Sequence, residues 1–104
     1  MPRRDPEQID SMAELRRGID EIDAALMDLL AERWRHTEQA PRLKAVEGIA
    51  ARAPGRVQAV LDHVREGAEA RGVDGEMVSA MWRIMIETVI AREERAIGKE
   101  GIDG

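Results

Sequence analysis

The 104-residue chain contains no cysteine, no tyrosine and no phenylalanine, and only two tryptophans. Without thiols, neither a disulfide framework nor a thiolate metal site is possible. Two aromatic rings are too few for a platform on which nucleic-acid bases would stack. A net charge of -5 and a pI near 5.1 also argue against a general nucleic-acid binder. No apolar run approaches the roughly 20 residues that cross a bilayer. The opening Met1-Pro2-Arg3-Arg4-Asp5 lacks the apolar core of a signal peptide. A single cytoplasmic domain with neither membrane nor nucleic acid as partner is expected.

What the chain does contain is helical periodicity. Ser11-Met12-Ala13-Glu14 fits a capping box, in which the serine hydroxyl takes a free N–H and the glutamate reaches back. From Leu15 the apolar residues follow a 3-4 spacing through Ile19, Ile22, Leu26 and Leu29, and the pattern runs on past Trp34 to about Val46 or Gly48. Pro41 removes one backbone bond and crowds the carbonyl four residues back, predicting a bend near Thr37 to Pro41, or an end and a restart there. Gly48 to Gly55 reads as a short connection. Pro54 suits the first turn of a second helix with Val57, Val60, Leu61 and Val64 on one side, stopping near Gly72. Asp74 caps a third helix bearing Met77, Met81, Ile84 and Met85, which ends around Gly98; its methionines read as adaptable core filling. Nothing alternates with period two for long enough to make a strand. The reading is all-α: three helices with a long first one, a flexible segment over 1–10, one helical domain over 11–98 and a flexible tail over 99–104.

The first helix carries the quaternary expectation. Some 35 residues at about 1.5 Å each make a rod of about 50 Å, against a radius of gyration near 13 Å for a compact domain of this size. A monomer leaves much of such a rod uncovered, so an intertwined homodimer sharing one core is predicted. A symmetric coiled-coil adapter fits less well, because the apolar stripe breaks at Arg33.

That break is the most informative feature. The step after Leu29 on the stripe lands on Arg33, and Lys44 follows eleven residues, or three turns, later. Cations cost several kcal/mol (roughly) to hold away from water without an anion. The face therefore reads either as a wall that grips something negative or as side chains that snorkel to solvent and pair with ordinary acids.

Leu15-Arg16, Ile19-Asp20, Ile22-Asp23, Leu26 and Leu29-Leu30-Ala31-Glu32-Arg33, then Lys44, Arg56 and Ile84-Met85-Ile86-Glu87 leading to Glu93, resemble the all-helical, AroQ-type chorismate mutases over residues 12 to 95. The resemblance implies an intertwined helical dimer with two active sites built from both chains, acting on a small dicarboxylate in aromatic amino acid biosynthesis without cofactor or metal. It implies that Arg16 reaches in from the partner to hold one carboxylate and that Arg33 holds another. Lys44 would sit by the ether oxygen that gains charge, Arg56 would add to the cationic lining, and Glu93 would donate a hydrogen bond to the same oxygen. A glutamate donates only when protonated, whereas the glutamine also common there donates at any pH. Activity is thus expected to fall as pH rises.

Two departures bear on substrate. Ala53 stands at the family's aspartate position, and Val57 stands where a glutamate contacts the ring hydroxyl. Ala53-Pro54-Gly55-Arg56-Val57 also resembles the matching stretch of the isochorismate pyruvate lyases, which release salicylate and pyruvate. A lyase, or a non-catalytic helical interaction dimer, is the alternative reading. Among the remaining polar residues, His36 and His63 read as solvated, and Arg52 reads either as a lid over the site or as a solvated loop charge.

Overall fold

The structure is a computed structural model describing residues 3–104. The fold is all-α. A short 3₁₀ turn, Pro6–Gln8, precedes α1 (Met12–Thr37), α2 (Ala40–Glu47), α3 (Pro54–Ala70) and α4 (Gly75–Ile97). Counting α1 and α2 as one helix interrupted at residues 38 and 39, this is the expected three-helix arrangement with a long first helix. The interruption follows from Pro41, which has no N–H to offer the Thr37 carbonyl. Gln39 keeps right-handed helical angles and its carbonyl accepts the Leu43 N–H at 3.3 Å, so winding resumes at once. Of the two sequence readings, an end and restart describes this stretch.

Two compact units divide the chain, the first running to His36 and the second spanning Thr37–Gly104. In the first, the Ser11 hydroxyl accepts the Glu14 N–H at 3.2 Å, giving one half of the predicted capping box. The Glu14 carboxylate faces Arg4 at 3.6 Å, and Arg4 also donates to the Gln8 carbonyl at 2.9 Å. Part of the segment assigned to residues 1–10 thus lies against α1, while Met1 and Pro2 fall outside the described residues. Among the described residues, none of those in α1 is buried. Ile22, Leu26 and Leu29 of its apolar stripe are 43%, 50% and 60% exposed.

The second unit holds the core. Ala50, Ala51, Ala53, Leu61, Ala68 and Ile90 are buried, together with Ser79 and Glu93. Capping fixes its helix ends as the sequence indicates: the Asp74 carboxylate accepts the Glu76 and Met77 N–H groups at 2.9 and 3.2 Å, and Gly72 and Gly98 take left-handed φ beyond the helix ends. Arg65 of α3 and Glu76 of α4 form an ion pair. Residues 99–104, assigned to a tail, make specific contacts. The Ile102 N–H donates to the Gly48 carbonyl and the Ile102 carbonyl accepts the Ala50 N–H, both at 2.8 Å, forming an isolated parallel bridge beside Ile49. Among the described residues, no helix is long and apolar enough to cross a membrane.

Candidate active site

Lys44 lies in the last turn of α2 and Glu93 near the end of α4, 49 residues apart in sequence, and the fold brings them together. The Lys44 ammonium donates to Glu93 Oε1 at 3.1 Å and to the Ala51 carbonyl at 2.8 Å. Local backbone geometry explains the second bond. Gly48 takes a left-handed conformation at φ 71° just past α2, and both its N–H and that of Ile49 cap the Lys44 carbonyl. The chain therefore turns sharply beyond Lys44 and returns Ala51, seven residues on, to the lysine's own side chain.

The surroundings make this a confined pair. Glu93 is 3% exposed, Lys44 22% and Ala51 1%. A buried carboxylate persists only when a cation or hydrogen-bond donors balance it, and Lys44 supplies both. The ammonium carries three N–H donors, of which two serve Glu93 and Ala51.

Other residues singled out in the sequence fall on both units. Arg16 is exposed and Arg33 half-buried on α1. Arg56 is exposed in the first turn of α3, and Val57 beside it is half-buried. Ala53, at the N-cap of α3, offers no side-chain cap. Asp103 supplies one from the C-terminal segment, its Oδ2 accepting the Gly55 N–H at 3.0 Å. His36 and His63 are exposed, with His36 Nδ1 2.8 Å from the Glu32 carbonyl oxygen.

Arg52, exposed in the loop, has an acidic partner. Its guanidinium forks onto Glu87 of α4, with Nη1 to Oε1 at 2.9 Å and Nη2 to Oε2 at 2.6 Å. These bonds hold the Glu87 carboxyl below its ordinary range and raise the Arg52 guanidinium. The sequence reading named Glu87 within a motif without giving it a partner. It also missed the Ala51 carbonyl, which any residue type can supply, and the Asp103 cap. Only for Asp103 was there a signal, the absence of a capping side chain at position 53.

An all-helical chain that stations a lysine on a buried carboxylate, with further arginines at helical spacing, is suited to binding a small anion and steadying charge on one of its oxygens. The chain belongs to the chorismate mutase type II family, whose profile matches residues 15–94. It is 34% identical over 88 residues to the isochorismate pyruvate lyase of Pseudomonas aeruginosa, covering 85% of this chain and 86% of that protein. It is 32% identical over 79 residues to the chorismate mutase of Methanocaldococcus jannaschii, covering 76% and 80% respectively. Similarity also extends to the T-protein of Enterobacter agglomerans, at 32% over 82 residues, which is 78% of this chain but 22% of that protein.

Proposed function

We propose that this protein is a chorismate mutase that rearranges chorismate to prephenate, working as a homodimer with shared sites. The observation that carries this reading is the ammonium of Lys44, held by Glu93 and the Ala51 carbonyl with one N–H to spare. The reaction is a single pericyclic step: one carbon–oxygen bond breaks as one carbon–carbon bond forms, with no nucleophile and no proton taken or given. The protein's task is to fold a flexible dianion into a chair-like geometry and to steady the charge that gathers on the ether oxygen. The spare Lys44 N–H suits that oxygen. Arg33 and Arg16 suit the two carboxylates, because a guanidinium fork fixes orientation as well as position. Arg56 adds positive potential; Glu93, which the family likeness makes a donor to the same oxygen, accepts from Lys44 in this structure and would also keep the lysine aimed.

Helix geometry supports drawing Arg16 from the partner chain. Arg16 and Arg33 are 17 residues apart on α1, about 25 Å along the axis at 1.5 Å per residue. Two cations so spaced do not reach the ends of one small dicarboxylate from a single chain. The uncovered stripe of Ile22, Leu26 and Leu29 supplies the surface on which a second copy would pack.

One observation favours testing a second substrate. Val57, apolar and half-buried, provides no acceptor for a ring hydroxyl, and isochorismate carries that hydroxyl at a different carbon. Purified protein should be given chorismate and isochorismate separately, with products identified. Prephenate from chorismate with little pyruvate from isochorismate is the expected result. Dominant salicylate and pyruvate would overturn the mutase reading in favour of the lyase.

A further inference from the structure

The carbonyl that steadies Lys44 belongs to a loop, and loops hold atoms in place only where something holds the loop. Residues 48–53 connect α2 to α3 and contain Ala51. On one side the backbone of Ile102 pairs with Gly48 and Ala50. On the other, the residue next to Ala51 forks bidentately onto Glu87, six positions before Glu93 on the same helix. The Arg52 fork and the Lys44 contact therefore tie adjacent loop residues to the same helix, α4.

We propose that Arg52 is a positioning residue for the reaction: its fork onto Glu87 fixes the 48–53 loop so that the Ala51 carbonyl and Glu93 together hold the Lys44 ammonium at the reacting oxygen. This rests on the mutase reading given above. The fork is exposed, with Arg52 and Glu87 side chains 46% and 43% accessible, and exposed ion pairs add little to stability. Its two parallel bonds instead define the direction and distance of one loop residue from α4. Catalysis by placement is far more sensitive to such a shift than folding is, since a misplacement of about 1 Å can cost on the order of 100-fold in rate.

The inference separates three roles by kinetics. Arg52→Ala and Glu87→Gln, each checked for an unchanged melting temperature and oligomeric state, are assayed with chorismate beside the wild type. A positioning role predicts that kcat falls about 10-fold or more in both variants, with KM within about twofold because no substrate contact is lost. The exchanged pair, Arg52→Glu with Glu87→Arg, recovers much of the lost kcat by rebuilding the fork in reverse. A folded Arg52→Ala protein with wild-type kcat overturns the inference. So does a rise in KM alone, which would make Arg52 a substrate ligand, or a fall in kcat in Arg52→Ala that Glu87→Gln does not share. Should Arg52→Ala not fold, Glu87→Gln and the exchanged pair decide the matter on the same criteria. A wild-type protein that leaves chorismate untouched overturns the mutase reading and this inference with it, whereas an active wild type with indifferent variants overturns this inference alone.

Discussion

The helix α1 and the second unit, Thr37–Gly104, show the same apolar periodicity and use it differently. In the second unit the stripes of α3 and α4 bury Leu61, Ala68 and Ile90 within the chain, and small alanines close the gaps. Along α1 the stripe is equally regular, yet none of its described residues is buried. A 3-4 repeat specifies that one face is apolar; it does not specify whose atoms cover it. The cations divide likewise. Lys44 is anchored by its own chain, whereas Arg16 and Arg33 sit on the helix that has no buried residue among those described.

The strongest way to break that comparison is to make α1 depend on a second copy in a measurable way. Arg16→Ala and Arg33→Ala should each give folded dimers with turnover reduced by at least about 100-fold, the scale of losing a charge-stabilising donor. Mixed dimers carrying one of each should regain activity, because one of their two sites contains neither substitution. No recovery in a confirmed mixed dimer would restrict each site to a single chain.

A smaller effect is expected where the second unit compensates for its own sequence. Asp103 caps a helix whose N-cap residue is alanine, so Asp103→Ala should cost about 1 kcal/mol, lowering the melting temperature by about 4–8 °C. Thermal unfolding of the variant beside the wild type tests this, and an unchanged midpoint would show the contact to be incidental.

The smallest effect on stability belongs to the Arg52–Glu87 fork. The Glu87 carboxyl titrates below its ordinary 4.5 in the folded chain because of Arg52. The unfolded chain therefore takes up this proton first as pH falls. The stabilising contribution is complete above about 4.5 and disappears as pH drops through the lower folded value. Urea unfolding between neutral pH and pH 3 should show slightly less acid destabilisation for Glu87→Gln than for the wild type; parallel curves would contradict the linkage.

Much of the fold was legible because its signals are local. Asp74, Pro54, Gly72 and Gly98 mark helix ends through contacts or angles set within a turn of themselves, and Pro41 marks the interruption through its own missing N–H. The Lys44–Glu93 contact, spanning 49 residues, was legible only through family likeness. Arg52–Glu87 and the Ile102 bridge were not legible at all, because they depend on where a loop backbone lies after the helices have packed. The Arg52 alternatives, lid or solvated charge, lacked the distant carboxylate that the fold provides.

The alanines of the 48–53 loop have a consequence for how this site can change. Ala50, Ala51 and Ala53 are 6%, 1% and 3% exposed, so any larger side chain there must displace neighbours in a close-packed interior. On the proposed reading, variation in substrate preference is steered away from the segment that holds the lysine and toward half-buried Val57. A mutagenesis library at that position would sample new ligands while leaving the proposed charge-stabilising groups intact, whereas substitutions at residues 50, 51 and 53 would disturb the packing that carries the Ala51 carbonyl.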